Sequence, residues 1–260
     1  MTNQQRVALV TGATSGMGLE IARSLAQEGH RVFVCARHQD AVEATVKDLQ
    51  NQGLDVDGIA CDVTDTDDVD RLFHACVDRF GPVDVLVNNA GRPGGGATSE
   101  MDDAFWRDVI ETNLTSVFLV TKRALTVGRL GASGWGRIVN IASTGGKQGV
   151  VHAAAYSASK HGVVGFTKAL GLELARTGVT VNAVCPGFVE TPMAERVRGV
   201  YAKIWDVDVD TAFERITARV PIGRYVEPAE VAAMVRYLIG PGSDAVTAQA
   251  LNVCGGLGNY

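Results

Sequence analysis

Short apolar runs alternate with longer amphipathic stretches along almost the whole chain. The apolar runs are rich in Val and Ile and are bounded by polar or glycine-containing segments, which is the pattern of buried strands. Strands are predicted at 7–12, 31–36, 56–63, 83–91, 136–143, 179–187 and 250–256. The stretches between them have helical spacing, including one around Phe105 to Arg129, one that carries Tyr156 and one at 228–240.

Strands that are apolar on both faces and separated by helices predict parallel strands between two helical layers. The predicted fold class is therefore α/β, a Rossmann-type doubly wound sheet of about seven strands with helices on both faces. The alternation has no linker or repeat, so residues 1–260 are predicted to form a single domain. One segment, about 190–220, has two helical stretches with no strand between them. Because such sheets bind ligands beyond the carboxyl ends of their strands, we predict that it is a substrate lid.

The composition of the chain argues against several classes of protein. The chain has 260 residues, 46% of them hydrophobic, and a net charge of −5, which argues against broad nucleic-acid binding. It shows neither a signal peptide nor an apolar stretch that could span a bilayer, so no membrane association is expected. The five cysteines are scattered and have no C-x-x-C spacing, so we expect a reduced, cytoplasmic protein without disulfides or a bound metal.

The sequence "VTGATSGMGLE" places Gly12, Gly16 and Gly18 directly after the first strand and at the start of a helix. Such glycines permit a tight turn and close backbone approach to a pyrophosphate, which the positive end of the helix dipole attracts. The context of strand, turn and helix predicts a dinucleotide site. The alternative is a glycine-rich turn without a ligand.

The ends of the second and third strands indicate which dinucleotide binds. A site that prefers NAD carries Asp or Glu about twenty residues after the glycine loop, where this chain has Arg37. A guanidinium can bind a 2′-phosphate with two hydrogen bonds, so the sequence favours NADPH/NADP+. Arg37 could instead be a solvated surface residue. Asp62, after the third strand, could accept from the adenine amino group or cap the next helix.

The fourth strand ends in "NNAG", residues 88–91. Asn88 and Asn89 offer side-chain amides, and Ala90 and Gly91 would let a nicotinamide ribose come close. Two consecutive Asn could be turn formers only. Their position at the carboxyl edge of the sheet favours contact with the cofactor.

Six motifs, TGxxxGxG, NNAG, Asn113, Ser143, Y-x-x-x-K and "PG" at 186–187, together resemble the short-chain dehydrogenase/reductase family over essentially the whole chain. The resemblance implies a catalytic group of Asn113, Ser143, Tyr156 and Lys160. It also implies cofactor contacts at Gly12, Thr14, Ser15, Gly16, Met17, Gly18, Arg37, Asp62, Val63, Asn89, Ala90, Gly91, Tyr156, Lys160, Pro186, Gly187, Val189 and Thr191.

The spacing of this group suits proton delivery to a ketone. Tyr156 and Lys160 are four residues apart and therefore share a helix face. The Lys160 ammonium and the positive nicotinamide ring are expected to lower the tyrosine pKa from its usual value near 10. Ser143 is expected to hydrogen-bond the substrate oxygen. By family resemblance, Asn113 holds a water that relays protons towards Lys160.

Two histidines flank the tyrosine, His152 and His161. Either imidazole could act as an acid or a base at the site. We expect them instead to pack or to lie at the mouth of the pocket, because Tyr156 already has a better matched partner.

Three stretches, "NNAGRPGGGATSE", "STGGKQGVVHAA" and "TAQALNVCGGLGNY", resemble the ketoreductases of bacterial type II (aromatic) polyketide synthases. Cys254, where most family members carry Asp, agrees with that subfamily. The resemblance implies reduction of one ketone, at the carbon numbered nine, of a poly-β-keto chain on an acyl carrier protein. It further implies a homotetramer. The implied substrate residues are Pro93, Gly94, Gly95, Thr144, Gln148, Val150, Met193 and Tyr201.

A carrier protein is acidic, so its docking on an acidic enzyme requires a local basic patch. Arg92, Lys147 and Arg129 are the candidates, and solvated surface is the alternative for each. Rival activities are a 3-oxoacyl-carrier reductase of fatty-acid synthesis and another short-chain alcohol dehydrogenase. A non-catalytic NADPH sensor is disfavoured because the four catalytic residues are all present.

Overall fold

The computed structural model describes residues 5–260 of the chain and shows one sheet of parallel strands in the order β3-β2-β1-β4-β5-β6-β7. The predicted doubly wound α/β fold is confirmed. The order reverses between β1 and β4, and this reversal is the position at which such sheets bind ligands. The strands are β1 (Val7–Thr11), β2 (Arg31–Ala36), β3 (Val56–Ala60), β4 (Val85–Asn88), β5 (Gly136–Ile141), β6 (Val179–Pro186) and β7 (Ala250–Val253).

Helices cover both faces of this sheet. Apolar side chains of α1, α2 and α9 pack on one face, and those of α3, α5 and α6 pack on the other. Within residues 5–260, no helix is both long enough and apolar enough to cross a membrane. The helices are α1 (Gly16–Gln27), α2 (Gln39–Asn51), α3 (Thr66–Phe80), α4 (Asp103–Ile110), α5 (Ser116–Leu125), α6 (Ala154–Glu173), α7 (Pro192–Trp205), α8 (Val209–Thr217) and α9 (Pro228–Ile239).

Several of the predicted boundaries need correction. The helix expected around Phe105 to Arg129 is two helices, α4 and α5, joined by a π-helical turn at Glu111–Thr115. α5 ends at Leu125, before the predicted end, and the following Gly128 packs so closely on Phe73 that a Cβ there would stand 2.8 Å from the ring.

The strands β3 and β4 are shorter at their carboxyl ends than predicted. β3 ends at Ala60 and β4 at Asn88, so residues 61–63 and 89–91 lie in loops beyond the sheet. Those loops therefore stand at the carboxyl edge, where their backbone and side chains can face a ligand.

The segment with two helices and no strand folds as predicted, and it has a small apolar core of its own. Tyr201 packs on Trp205 with ring centroids 4.8 Å apart, and Phe213 packs on Tyr225 at 5.1 Å. Thr191 caps α7 by accepting a hydrogen bond from the amide of Ala194, and a proline follows it at the first helical position. The α7–α8 segment is therefore an ordered unit beyond the end of β6.

Candidate active site

The glycine loop between β1 and α1 forms an open cradle of backbone. Gly12 has a φ of +65°, which other residues rarely adopt, and a Cβ on Gly18 would stand 2.3 Å from the Gly12 oxygen. Ser15 precedes α1 without using its hydroxyl as a cap, and the first turn of α1 has no acidic residue. The exposed helix N-terminus and the free hydroxyl fit a pyrophosphate.

Asn89 holds this loop in place. Its Nδ2 donates to the oxygens of Thr11 (2.9 Å) and Gly12 (3.0 Å). In return, the Thr11 hydroxyl accepts from the backbone N–H groups of Asn89 (3.0 Å) and Ala90 (3.1 Å). The amide of Asn89 thus contributes to the cofactor site by fixing the glycine loop. Thr11 was not predicted, although a polar residue that ends an apolar strand could have indicated it.

Asn88 does not face the cofactor site, so that part of the prediction is wrong. Its side chain is buried and donates to Thr121 Oγ1 (3.0 Å) and Asn140 Oδ1 (2.8 Å). Asn140 in turn donates to Thr167 Oγ1 at 2.9 Å. Because successive side chains of a strand point to opposite faces, Asn88 points beneath the sheet edge, towards α5 and α6.

The ends of β2 and β3 carry the residues predicted to select the cofactor. Arg37 follows β2 directly, is exposed, and makes no hydrogen bond or ion pair with any residue in 5–260. Its guanidinium is therefore available to a 2′-phosphate.

Asp62, beyond β3, does not cap the next helix. Its Oδ1 accepts from the amide (3.0 Å) and hydroxyl (2.7 Å) of Thr64, and the residue that caps α3 is Asp65. Because Asp65, three residues closer to α3, caps that helix, contact with the adenine amino group stays the prediction for Asp62. Val63 is buried in the core beside it.

The chain after β6 returns to the glycine loop. Gly187 donates to the oxygen of Val253 (3.0 Å), and a Cβ on it would stand 3.0 Å from Cys254 Cα. The Thr191 methyl group lies 3.2 Å from the place where a Cβ of Gly16 would be. This contact brings the segment Pro186–Thr191 beside the predicted pyrophosphate site, as the prediction requires.

Ser143, Tyr156 and Lys160 converge at the carboxyl edge of the sheet. Ser143 follows β5, and its hydroxyl oxygen accepts from the amide of Gly145 (3.0 Å). A Cβ on Gly145 would stand 3.4 Å from both the Ser143 hydroxyl and the Tyr156 ring, so the two side chains lie beside each other. Lys160 Nζ donates to the oxygen of Ile141 (2.8 Å) and lies 5.8 Å from the centre of the Tyr156 ring. The three side chains therefore lie together at this edge of the sheet, and their catalytic roles stay a prediction.

Burial dominates the electrostatics of Tyr156 and Lys160. Burial raises the pKa of Tyr156, and the hydrogen bond from Ser143 lowers it to a smaller extent. Burial also lowers the pKa of Lys160 to about 8. In the protein alone, desolvation therefore dominates the pKa of Tyr156, and the lowering expected from Lys160 together with the positive nicotinamide ring stays a prediction for the complex with the oxidised cofactor.

Asn113 lies in the π-helical turn and is fully buried. Its Nδ2 donates to the oxygen of Arg92 (3.0 Å) and to Ser159 Oγ (3.2 Å), and its Oδ1 accepts from the Arg92 amide (2.8 Å). Ser159 Oγ donates to the oxygen of Tyr156 at 2.7 Å. Asn113 therefore connects the loop after β4 with the helical turn that carries Tyr156, and its water relay stays a prediction.

The predicted substrate glycines differ from one another. A Cβ on Gly94 would stand 2.8 Å from Val109 and 3.1 Å from the amide of Tyr156, so Gly94 is required for packing rather than for open space. Gly95 is exposed, and a Cβ there would meet only the oxygen of His152, at 3.3 Å.

The other predicted substrate residues lie on two segments. Thr144, Gln148 and Val150 lie in the loop between β5 and α6, and Met193 and Tyr201 lie on α7. A Cβ on Gly145 would stand 3.1 Å from Val150 and 3.4 Å from the Tyr156 ring, so this loop adjoins the phenol.

The two histidines make no contact with the phenol. His152 is exposed, has a φ of +58°, and accepts at its backbone oxygen from the amide of Gly96 (2.7 Å). His161 is exposed on α6, with its Nδ1 2.8 Å from the oxygen of Ser157.

The three cations proposed for carrier docking do not form one patch. Arg92 pairs with Asp108. Lys147 donates to three oxygens of the chain that follows α9, so the prediction that it is free for a carrier is wrong. Arg129 lies beside Val83 and Asp84 at the amino ends of the strands, on the opposite edge from the site, so its prediction is wrong as well.

The family model for short chain dehydrogenases matches residues 6–201. The chain therefore belongs to the short-chain dehydrogenase/reductase family, as its motifs predicted.

The similar proteins include ketoreductases of polyketide synthases. The chain is 70% identical over 259 residues to a Streptomyces coelicolor protein named as a ketoacyl reductase, with 100% of this chain and 99% of that protein covered. It is 67% identical over 259 residues, 100% of this chain and 95% of the relative, to a protein of Streptomyces violaceoruber named as a granaticin polyketide synthase ketoacyl reductase. It also matches a crystal structure of a variant actinorhodin polyketide ketoreductase with NADPH, with a TM-score of 0.96, 70% identity and 98% of each chain covered.

Proposed function

We propose that this protein is an NADPH-dependent ketoreductase that reduces one ketone of an aromatic polyketide intermediate to a secondary alcohol. The observation that carries the proposal is the convergence of Ser143, the Tyr156 phenol and the buried ammonium of Lys160 at the carboxyl edge of the sheet. The likeness of the whole chain to polyketide ketoreductases supports the substrate class.

The residues of the chain supply the proton and hold the ketone oxygen. NADPH, when bound, supplies the hydride that the carbonyl carbon receives. Ser143 Oγ already accepts from the Gly145 amide, so its O–H can be donated to the ketone oxygen as negative charge develops there. Tyr156 then gives its phenolic proton to the same oxygen.

In this proposal, Lys160 is the group from which Tyr156 regains its proton. One of its N–H groups is bound to the oxygen of Ile141, and the others are available to the ribose hydroxyls or to a water. Because burial places its pKa at about 8, Lys160 can gain or lose a proton near neutral pH. Asn113, fixed against Arg92, is suited to holding the water that completes this path.

The preference for NADPH is supported by Arg37. The residue is exposed at the end of β2, without a partner among residues 5–260, and no carboxylate replaces it there. Gly12, Gly18 and the uncapped Ser15 provide the pyrophosphate cradle.

The finer proposal is that the substrate is a poly-β-keto chain carried by an acyl carrier protein and reduced at the carbon numbered nine. The α7–α8 segment would act as the lid over that chain, because its helices follow the carboxyl end of β6. A homotetramer, with contacts through the helices that carry Asn113 and Tyr156, belongs to the same proposal.

The test follows NADPH oxidation with trans-1-decalone, a bicyclic ketone, and with a linear 3-oxoacyl thioester. We expect faster turnover of the bicyclic ketone with NADPH than with NADH, and a loss of about 10²-fold or more in kcat for Tyr156→Phe. Far faster turnover of the linear thioester would leave a reductase but overturn the polyketide assignment. Activity of Tyr156→Phe equal to that of the parent would overturn the role of the phenol.

A further inference from the structure

The last residues of the chain are bound to the loop that carries Ser143. We name residues Gly255–Tyr260 the tail segment and residues 143–150 the serine loop. Lys147 of the serine loop donates to the backbone oxygens of Tyr260 (2.7 Å) and Ala250 (3.1 Å) and to Asn252 Oδ1 (3.1 Å). An ammonium has three protons, so all three are used within the chain.

Tyr260 makes a second contact with the serine loop. Its phenol donates to the oxygen of Thr144 at 3.2 Å, and its ring centre lies 5.1 Å from Lys147 Nζ. Thr144 directly follows Ser143, so this contact is one residue from the hydroxyl that binds the ketone oxygen.

The other end of the tail segment is bound at the base of the α7–α8 segment. Ile222, a few residues after α8, donates its amide to the oxygen of Gly255 (3.2 Å). A Cβ on Gly255 would stand 2.5 Å from the Ile222 side chain, and one on Gly256 would stand 3.0 Å from Pro221. The tail segment therefore spans from the proposed lid to the serine loop.

We propose that Lys147 and Tyr260 are positioning residues, which fix Ser143 and the pocket-forming part of the serine loop relative to the lid. The proposal rests on the proposed function in one respect, because it takes Ser143 as the group that binds the ketone oxygen. Tyr260 and Lys147 touch neither substrate nor cofactor; they act through Thr144 and the backbone of the serine loop.

The expected effect is on chemistry and stereochemistry rather than on cofactor binding. Without the Lys147 ammonium, two oxygens of β7 and the Tyr260 oxygen of the tail segment lose the donor that they share on the serine loop. Displacements of about 1 Å at a reacting centre can cost about 10²-fold in rate. The glycine loop and Arg37 lie on other elements and are unaffected.

The experiment compares Lys147→Ala, Lys147→Arg and Tyr260→Phe with Lys47→Ala, a control at an exposed lysine of α2. For Lys147→Ala we expect kcat on trans-1-decalone to fall about 10-fold, KM for NADPH to stay within about two-fold, and the ratio of alcohol isomers to change. Lys147→Arg keeps a cation and should recover part of kcat. Tyr260→Phe, which removes only one hydroxyl, should show a smaller loss in the same direction.

Hydrogen exchange separates this proposal from the proposed function. The Gly145 amide is bound to Ser143 Oγ, so its exchange rate reports directly on the position of the catalytic hydroxyl. We expect faster exchange at residues 145–148 in Lys147→Ala and Tyr260→Phe than in Lys47→Ala. Unchanged exchange, or kcat and isomer ratio equal to those of the control, would overturn the proposal. If the parent reduced no ketone, the proposed function would fail while exchange still decided whether the tail segment holds the serine loop.

Discussion

The side-chain amide of Asn113 hydrogen-bonds both backbone polar groups of Arg92, its Oδ1 accepting from the amide at 2.8 Å and its Nδ2 donating to the oxygen at 3.0 Å. One buried side chain in a π-helical turn thus completes the hydrogen bonding of the loop after β4. Such turns interrupt helices mainly at functional sites. A Cβ on Gly91 in that loop would stand 3.2 Å from Asn113 Oδ1 and 3.7 Å from Lys160 Nζ.

Replacing Asn113 with Leu should therefore weaken both the fold and the activity. The variant leaves the amide and oxygen of Arg92 without partners, which costs about 2–4 kcal/mol in the free energy of unfolding. Urea denaturation measures that change, and kcat should fall in the same protein. Glu111→Gln, at an exposed position of the same turn, is the control and should leave both values close to those of the parent.

Arg37→Asp should reverse the cofactor preference. The change removes a charge-assisted hydrogen bond worth about 1.5–3 kcal/mol and puts a carboxylate where a 2′-phosphate would lie. The ratio of kcat/KM for NADPH to that for NADH should fall by about 10-fold or more. Arg37→Ala should give an intermediate ratio, since it removes the attraction without adding repulsion. An unchanged ratio in both variants would show that Arg37 is only a solvated surface residue.

Gly94→Ala and Gly95→Ala should behave differently although the residues are neighbours. A Cβ on Gly94 would stand 2.8 Å from Val109 of α4 and 3.1 Å from the Tyr156 amide of α6, so the loop or one of these two helices has to shift. Overpacking of this kind costs about 1–3 kcal/mol, and it should also lower kcat because α6 carries the phenol. Gly95→Ala should change the free energy of unfolding by about 0.5 kcal/mol or less. Thermal unfolding measures the change in stability, and decalone turnover measures the change in kcat. Equal effects at the two positions would contradict the packing around Gly94.

Lys160→Met should make the protein more stable while abolishing its activity. Burial lowers the pKa of Lys160 from 10.5 to about 8, so near neutral pH the folded state holds an ammonium that it disfavours. A shift of this size corresponds to about 3 kcal/mol. Part of that cost should be recovered in Lys160→Met at pH 7, measured as the free energy of unfolding in urea.

The same shift predicts a pH dependence. Between about pH 8 and 10 the unfolded chain still holds the Lys160 proton and the folded protein does not, so the parent gains stability as the pH rises. Relative to Lys160→Met, the parent should gain about 2 kcal/mol over that range. The buried thiol of Cys76, whose pKa is raised by desolvation alone, opposes this trend equally in both proteins and cancels in the difference. A difference that does not change with pH would mean that Lys160 has an ordinary pKa.

The strand pattern was sufficient to predict the sheet, whereas the group around Tyr156 was predicted from its resemblance to the short-chain dehydrogenase/reductase family. Runs of Val and Ile mark buried strands, and β2 has the predicted bounds of 31–36. The site follows because the carboxyl ends of parallel strands share one edge, which brings Gly12, Asn89 and Ser143 together although they are far apart in sequence.

What the sequence did not predict depends on contacts between distant segments. The oxygens that bind Lys147 lie more than 100 residues further along the chain, so its ammonium could be read as free. Asn88 and Asn89 are adjacent residues of the same type, but successive side chains of a strand point to opposite faces. The Asn88 side chain is therefore buried against Thr121, whereas the Asn89 side chain supports the glycine loop. The direction of the Tyr156 pKa depends on how deeply the ring is buried, which no spacing of residues reports.

The α7–α8 segment has an aromatic core of its own. Tyr201, Trp205 and Phe213 pack around Tyr225 and one another, apart from the two layers that hold the sheet. Exchanges among these side chains would reshape the α7–α8 segment, while the apolar layers on the two faces of the sheet keep their own contacts. In the lid that we propose, substitutions in this aromatic core would therefore alter the shape of the substrate site without disturbing the packing of the sheet.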